Sequence, residues 1–541
     1  MKRFRTVSGG NFMNATVEKS LPRASFPEEV GVSSSALADY IRDVEESGIE
    51  SHSLMILRHG KVAYETWREP YTPDLPHTMY SVSKSIISTA AGFAVNEGLL
   101  TLDTKLLDVF PEYRTNKRTQ DDEKITLRTL LTMTAGKDVS LFSDKTSETW
   151  VKDFLDSRWC FKPGEGWKYI SENTYCVGAM ISRLTGMTVT EYLTPRLYEP
   201  LGIEVPAWER DAHGVETGGW GIFLKTEDLA KIALCYLNHG QYMGKQVIPE
   251  AWTREATQKQ ADNSNDVGID NTAGYGYFFW RCGNYENAFR FDGMFSQFAI
   301  VFEDLDAVII TTNNEVDEQK TRDAIWRHFP AAFIEDTIPE QDRIPTLKPL
   351  TGIPPQARSE AWERKLNSHT IKITPNKILA VAGYPLSVLC FAAVYMSADK
   401  AGPMDNIKFS FYEDECTMYW SEGDETNIIH IGMDGVERLS HIRLGKLDYT
   451  AASTAAWTDK NTLDIWIRPL EAVGQRRLKF TFRKGCVLLK PTSMPTLRSL
   501  AVDVAGSLGG MFPNPTIFGI VRAVMRNLDL VLEPIHHGKI V

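Results

Sequence analysis

The sequence predicts a domain that mixes helices with strands, followed by a linker and a second domain built from strands. Two apolar runs flank a turn at His59-Gly60 and predict a β-hairpin, while residues 37–44 carry apolar side chains at helical spacing. Several prolines between residues 338 and 355 predict a semi-rigid linker. Beyond the linker, apolar and polar residues alternate, as in residues 407–412, which is typical of strands in a small barrel or sandwich.

Length and composition limit the classes of protein to which the chain can belong. Its 541 residues exceed what one hydrophobic core usually holds, and 43% hydrophobic with 24% charged residues is typical of globular domains. A formal net charge of −11 disfavours nucleic acid and anionic membrane surfaces as partners, because both attract clustered Lys and Arg. The seven cysteines lack C-x-x-C spacing, so we expect reduced thiols and no zinc site.

We place the domain boundaries where the composition changes. They give an N-terminal tail over residues 1–25, a mixed domain over 26–335, a Pro-rich linker over 336–360 and a β-rich domain over 361–541. No apolar segment follows the basic residues near the N-terminus, so we expect a cytoplasmic protein without a signal peptide. The uncharged segment 378–396 is just long enough to cross a bilayer, but its Gly and Pro residues favour a buried pair of strands.

Helices of the mixed domain follow from start and stop signals along the chain. A run of small and apolar residues predicts a helix that begins near Ser81 and ends at Gly98. A second, short helix should end at Gly136. An apolar helix over residues 176–184 should close at Gly186. These helices alternate with the predicted strands, so we expect a mixed α and β domain.

Ser81 and Lys84 form an S-x-x-K motif at the start of the first of these helices. Residues three apart share one helix face, so the Lys84 amine can take the Ser81 proton if its surroundings disfavour the ammonium form. The helix N-terminus adds N–H groups that favour an anionic oxygen at the serine. Taken alone, the motif also fits a serine that caps the helix beside a solvated lysine.

Tyr169 and Ser171 follow a Pro-Gly turn and lie two residues apart in a predicted extended segment. This spacing places both side chains on one side of the segment, just before the helix over residues 176–184. A phenol near a lysine ammonium holds its proton loosely, which makes Tyr169 a candidate base or proton relay. Packing of the phenol ring on Trp167 is the alternative interpretation.

Gly293 lies in a pair of predicted strands, the second of which carries residues 308–312. A glycine permits close backbone approach, and such a sheet edge can offer a backbone N–H to a developing oxyanion. A glycine bulge in an ordinary hairpin is the alternative that the sequence leaves open.

In this order, the three stretches resemble the motifs of the serine hydrolases of the β-lactamase and penicillin-binding-protein superfamily, in the class C-like branch with aminohexanoate-dimer hydrolases and esterases. Ser81 and Lys84 match S-x-x-K, Tyr169 and Ser171 match Y-x-S, and Gly293 matches the glycine of the third motif. The resemblance covers the mixed domain. It implies a β-lactamase-like α/β fold, in which an antiparallel sheet has helices on both sides and the catalytic cleft lies beside a second helical cluster.

The resemblance also implies the chemistry of the site. Ser81 would attack a carbonyl group to form an acyl-enzyme, while Lys84 and Tyr169 would share the roles of base and acid. No cofactor or metal is implied, and the expected partner is a small ester or amide. The adjacent His536 and His537 have no matching carboxylate or thiol cluster, so we expect them to be solvent-exposed on a flexible end.

Met294, Gly293 and Ser171 make up the implied oxyanion and substrate-binding set, in which the backbone N–H of Met294 acts together with that of Ser81. The chain departs from the family two residues before the glycine. Phe291 stands where the penicillin-recognising members carry a Lys or His that helps to hold a substrate carboxylate.

This departure disfavours a β-lactamase or a D,D-peptidase, although Arg290 or Arg281 could replace the missing base from nearby. We therefore expect hydrolysis of small esters or amides. A D-aminopeptidase, a β-lactamase-like peptidase or an acyltransferase of the same fold is the alternative within the family. A non-catalytic binding or scaffold homologue is the alternative of another class.

Overall fold

The computed structural model describes residues 20–138, 149–335, 343–374, 404–444, 447–496 and 533–541. It contains an α/β domain with an antiparallel sheet and helices, followed by a closed β-barrel. This architecture confirms the predicted fold class and selects the barrel over the sandwich. The segment 378–396, for which we expect a pair of strands, lies outside the described residues.

Most helices belong to the first domain. In chain order they are α1 Ser34–Glu46, α2 Val82–Asn96, α3 Leu106–Val109, α4 Leu127–Leu131, α5 Trp150–Asp156, α6 Ser171–Thr185, α7 Val189–Leu193, α8 Glu199–Leu201, α9 Thr226–Leu237, α10 Glu250–Thr257, α11 Glu318–His328 and α12 Glu360–Leu366.

The strands fall into two groups, one in each domain. Those of the first domain are β1 Ser51–Arg58, β2 Lys61–Trp67, β3 His77–Thr78, β4 Phe223–Leu224, β5 Gln241–Tyr242, β6 Lys245–Gln246, β7 Trp280–Arg281, β8 Ala288–Gly293, β9 Gln297–Phe302 and β10 Ala307–Asn313. Those of the barrel are β11 Thr370–Thr374, β12 Met404–Phe411, β13 Glu415–Glu422, β14 Glu425–Gly432, β15 Arg438–Leu444, β16 Leu447–Asp459, β17 Thr462–Pro469, β18 Gln475–Arg483, β19 Cys486–Met494 and β20 His536–Ile540.

The main sheet of the first domain has the antiparallel strand order β2-β1-β10-β9-β8-β7. Its first hairpin turns at His59-Gly60, as predicted, where both residues have the positive φ that a two-residue hairpin turn needs. Side chains alternate between two cores along each strand. On β10, Val308 joins the core that contains α2 and α9, whereas the neighbouring Ile309 joins the core that contains α1 and α11.

Helix α2 runs through the centre of the first domain. Every residue from Val82 to Ala94 is buried, so the helix is enclosed all round and not amphipathic. Small side chains make this possible because they let neighbouring helices approach closely. At Gly92, for example, the indole ring of Trp252 on α10 occupies the space that a Cβ would need. The helix ends at Asn96, and Gly98, which has a φ of 72°, follows the C-cap residue and donates its N–H to the carbonyl of Val95.

The barrel has the strand order β14-β13-β12-β11-β20-β19-β18-β17-β16-β15, and pairing of Gly432 with Thr454 joins β14 to β16. Its interior is filled by large apolar side chains such as Trp420 and Phe480. The linker runs along the first domain before it reaches the barrel. The Tyr64 hydroxyl donates to the carbonyl of Pro345, at 2.8 Å.

Several local predictions need correction. The stretch around Gly293 forms three strands, β8, β9 and β10, and not two, because a three-residue turn follows the glycine. Helix α6 begins at Ser171, earlier than the predicted start at residue 176. His536 and His537 lie on β20 between β11 and β19, and the side chain of His536 is buried, so this end of the chain is part of the barrel.

Neither a membrane-spanning helix nor a cluster of metal ligands is present in the described residues. No helix in the described part of the chain is long and apolar enough to cross a bilayer. Among the same residues, no three or more His, Cys, Asp or Glu side chains are grouped so that they could hold a metal ion.

The contact between Gly92 and Trp252 predicts a stability difference between two glycine variants. Gly92→Ala should lower the free energy of unfolding by about 1–3 kcal/mol, because the methyl group collides with a rigid ring. Gly178→Ala, also in a helix interior, is the matched control, because its methyl group would meet only the ends of the Ile87 and Val189 side chains. Urea denaturation of both variants checks this, and equal stabilities would contradict it.

Candidate active site

Ser81 lies at the N-terminus of α2 and is partly exposed. Its backbone has φ −71° and ψ −8°, and its side chain makes no capping hydrogen bond to the helix. The preceding residue, Tyr80, has a positive φ of 44°, a conformation that side chains other than glycine rarely adopt. The chain therefore turns sharply just before Ser81, and the hydroxyl of the serine is left for interactions other than capping the helix.

Lys84 lies one turn further along α2, and only 1% of its surface is exposed. Its Nζ atom lies 2.8 Å from Oγ of Ser81 and 3.1 Å from Oγ of Ser171. It also donates a hydrogen bond of 2.7 Å to the backbone carbonyl of Gly219. These contacts exclude the simpler interpretation of the first motif, because the serine does not cap the helix and the lysine is not solvated.

Burial lowers the pKa of Lys84 to about 7, even though the nearby carboxylates of Glu172 and Asp292 raise it. Near neutral pH, a large fraction of the side chain is therefore the neutral amine. A neutral amine has two N–H donors and one lone pair. When the donors serve Gly219 and Ser171, the lone pair faces the hydroxyl of Ser81, as a general base requires.

Tyr169 lies on the other side of this amine, with its ring centroid 4.7 Å from Nζ of Lys84. The ring packs against Trp280 at 5.3 Å and Trp167 at 6.3 Å, and the hydroxyl forms a hydrogen bond with Ser81. The ring of Tyr169 therefore packs on Trp167, while its hydroxyl also contacts the site. Burial raises the pKa of Tyr169 above its ordinary value, an effect that the hydrogen bond with Ser81 opposes. The expectation of a loosely held proton is wrong, and the phenol is suited to donate a proton.

The third stretch approaches Ser81 from the end of β8. Gly293 is the last residue of this strand, and a Cβ at its position would collide with the carbonyl oxygen of Met79, two residues before the serine. Met294 follows in the turn to β9 and is 37% exposed. Gln297 fixes this turn, because its side-chain amide donates to the carbonyl of Met294 at 3.1 Å. The turn is thus held beside the start of α2.

Phe291 does not face the cleft. Its ring is fully buried in the core, 4.9 Å from Phe279 and 5.5 Å from Tyr236. Because residues alternate along β8, the neighbouring Arg290 and Asp292 point the other way. Aromatic packing therefore takes the place of the basic residue that the family motif has at Phe291.

Neither of the two candidate substitutes offers a free cation. Arg290 is fully buried, and its Nε donates to Asp292 at 2.6 Å. Arg281 pairs with Glu303, with 3.2 Å between Nη1 and Oε2. Both guanidinium groups are therefore already neutralised by carboxylates of the same chain.

Three residues near Lys84 were not among the predicted site residues. Gly219 contributes a backbone carbonyl, and its lack of a side chain allows close contact with Ser171. Glu172 and Asp292 contribute negative charge that acts on the lysine. For Glu172 and Asp292, the only signal in the sequence was that each is adjacent to a predicted site residue, Ser171 or Gly293.

Comparison with a protein-family model identifies the family of this chain. The model described as Beta-lactamase matches residues 37–332, which is more than half of the chain. The chain belongs to the beta-lactamase family.

Individual proteins also show similarity to this chain. The 6-aminohexanoate-dimer hydrolase of Paenarthrobacter ureafaciens is 24% identical over 248 residues, which are 42% of this chain and 62% of that protein. The lovastatin esterase of Penicillium rubens is 29% identical over 162 residues, covering 25% and 40%. The chain thus spans less than two thirds of either relative. A penicillin-binding protein homologue from Caulobacter crescentus has a TM-score of 0.47 at 17% identity, covering 55% of this chain and 97% of its own.

The lowered pKa of Lys84 predicts the pH dependence of any reaction that needs the neutral amine. The rate should rise through an inflection near pH 7, because the ammonium form is inactive below it. Glu172 raises the pKa of Lys84, so Glu172→Gln should move the inflection to lower pH. Measuring kcat/KM against pH for both proteins checks this.

Glu112→Gln is the matched control for this measurement. Glu172 lies in the first turn of α6, whereas Glu112 pairs with Arg183 at the other end of the same helix. The control should keep the inflection of the unmodified protein. An inflection that stays fixed in Glu172→Gln would show that another group titrates.

Proposed function

We propose that this protein is a serine hydrolase that cleaves small esters or amides through an acyl-enzyme on Ser81. The observation that carries the proposal is the 2.8 Å hydrogen bond between Ser81 and a buried Lys84 whose pKa is about 7. An amine with this pKa accepts the serine proton at neutral pH without a further activating group.

The first half of the reaction acylates the serine. Oγ of Ser81 attacks the substrate carbonyl carbon while its proton passes to Nζ of Lys84. The tetrahedral intermediate then collapses, and the bond to the leaving alcohol or amine breaks. Tyr169 is suited to protonate the leaving group, because burial keeps its hydroxyl protonated and that hydroxyl is hydrogen-bonded to Ser81. The ammonium of Lys84 can then return a proton to the tyrosine.

Hydrolysis of the acyl-enzyme completes the cycle. Lys84, neutral again, takes a proton from the attacking water, and the carboxylic acid product leaves as Ser81 recovers its hydroxyl proton. We assign the oxyanion site to the backbone N–H groups of Ser81 and Met294. Gly293 supports this assignment, because its lack of a Cβ lets the turn after β8 approach the start of α2.

The choice of small neutral substrates follows from the charges near the site. Substrates of β-lactam and D,D-peptide type carry a carboxylate that needs a cation, but Arg290 and Arg281 are paired with Asp292 and Glu303. The two similar relatives named above are a hydrolase of an amide dimer and an esterase, which fits the proposed range of substrates. The cytoplasmic location stays a prediction from the sequence.

The loss of stability caused by burying Lys84 argues against a non-catalytic scaffold. Burying an amine away from a direct salt bridge lowers the stability of a folded protein, as the lowered pKa of Lys84 reflects. A binding protein would gain stability from an apolar side chain at this position. Acyl transfer to an alcohol or amine differs from hydrolysis only in the second nucleophile, so it remains the alternative for the second half of the reaction.

Covalent labelling tests the proposal. A fluorophosphonate should add one adduct to the unmodified protein, detected by intact mass, and none to Ser81→Ala. Lys84→Ala and Tyr169→Phe should label and turn over p-nitrophenyl butyrate more slowly, by roughly 10²–10⁴-fold for loss of a general base or acid. Without an adduct and without turnover in the folded protein, the proposed function would be wrong.

A pair of substrates of similar size tests the charge argument. The neutral ester p-nitrophenyl butyrate should have a kcat/KM at least about tenfold above that of p-nitrophenyl hemisuccinate. Arg290 and Arg281 are already paired with carboxylates, so neither offsets the desolvation of the hemisuccinate carboxylate. A preference for the anionic ester would favour the peptidase alternative over the proposed substrates.

A further inference from the structure

A chain of polar groups, buried except at Glu50, links the barrel to the segment that precedes Ser81. Nη1 of Arg468, on β17, lies 2.7 Å from Oε1 of Glu50, which precedes β1. The same carboxylate oxygen lies 3.2 Å from Nε2 of His52, and Nδ1 of His52 lies 3.0 Å from Nε2 of His77. Nδ1 of His77 lies 2.9 Å from the carbonyl oxygen of Thr78. Four consecutive contacts thus join the two domains.

The direction of each hydrogen bond in the chain follows from the groups at its ends. The Thr78 carbonyl can only accept, so Nδ1 of His77 donates to it. Burial lowers the pKa of His77 to about 3, which keeps it neutral, so its Nε2 accepts from Nδ1 of His52. Nε2 of His52 then faces a carboxylate oxygen of Glu50 that already accepts from Arg468. The chain closes only when a proton lies between His52 and Glu50.

The charges around His52 act on this proton in opposite directions. Burial lowers the pKa of His52, and the positive groups of Arg468 and Arg68 add to this effect, while the Glu50 carboxylate opposes it. The ring of Tyr71 stacks on His52 at 3.9 Å. These neighbours leave the imidazole little room to rotate, so the hydrogen bonds on its two nitrogens are fixed together.

The barrel also holds the same segment through its backbone. The Thr78 N–H donates to the carbonyl of Glu471, in the turn after β17, at 2.7 Å. Thr78 itself lies on β3, which pairs with β4 through Phe223. The ring of Phe223 joins the apolar core of the barrel, 6.2 Å from Tyr449. Both strands of this small sheet therefore contact the barrel.

These two strands lead directly to the reacting groups. Thr78 is three residues before Ser81, and Met79, between them, donates its N–H to the carbonyl of Ile222 at 2.9 Å. Ile222 in turn is three residues after Gly219, whose carbonyl accepts from Lys84. A displacement of the barrel would thus move the serine and the acceptor of the lysine together.

We propose that the barrel is a positioning element of the active site, and that Arg468 acts on Ser81 through Glu50, His52 and His77. This inference rests on the proposed role of Ser81 as the nucleophile. Arg468 and His77 are positioning residues, since neither contacts Ser81. Loss of these hydrogen bonds should change the geometry in which the serine reacts and leave the surfaces that bind the substrate in place.

Arg468→Gln in the full-length protein tests the proposal. The second-order rate of fluorophosphonate labelling and kcat for p-nitrophenyl butyrate should both fall at least about tenfold, because a small misplacement of a reacting group is costly, while KM changes less than about twofold. Hydrogen exchange at the Thr78 amide should become faster. Arg477→Gln is the matched control, because Arg477 stacks on Trp466 within the barrel at 4.0 Å, and it should keep the rates of the unmodified protein.

His77→Asn breaks the same chain from the first domain and serves if Arg468→Gln does not fold. Since both residues act through one chain, the double variant should label no more slowly than the slower single variant. Labelling of Arg468→Gln and His77→Asn at the rate of the unmodified protein would overturn this inference alone. The inference would also be overturned if the fold decrease in the double variant equalled the product of the fold decreases in the two single variants. If the unmodified protein takes no label, the proposed function and this inference both fail.

Discussion

The hydrogen bond between Lys84 and Ser81 depends on keeping an amine out of water. Helix α2 achieves this because it is enclosed on all sides and because Gly219 and Ser171 supply the polar contacts that the buried Nζ needs. The same burial that lowers the pKa of Lys84 raises that of Tyr169, since each loses the solvation of its charged form. One physical effect thus sets the protonation states of the proposed base and the proposed acid, which lie side by side.

The two domains meet at the segment that leads into α2. In the first domain, the end of β8 approaches this segment closely at Gly293 and Met79. On the other side, the barrel contacts Thr78 through Glu471 and through the chain that begins at Arg468. The serine therefore follows a stretch of backbone that is held from both sides, and this gives the barrel a physical connection to the proposed chemistry.

Local patterns in the sequence predicted features that depend on residues close together in the chain. Ser81 and Lys84 share one helical turn, so their spacing made a contact possible, and the two later motifs favoured it over a capping serine beside a solvated lysine. The carbonyl of Gly219 could not, because a backbone group 135 residues away carries no side-chain signal. The direction of the pKa shift of Tyr169 depends on burial, which the motif does not encode. Likewise, Phe291 showed that a basic residue was missing, but only the packing of β8 shows that its ring enters the core.

Direct titration of the Lys84 amine tests the account at its centre. NMR of protein with ¹³C-labelled lysine, with Lys84→Ala to assign the signal, would report the charge of Nζ in the resting protein without any substrate. We predict a Cε resonance that titrates near pH 7, well below the ordinary lysine pKa of 10.5. An ammonium that persists far above neutral pH would contradict the account, because Lys84 could not then accept the proton of Ser81.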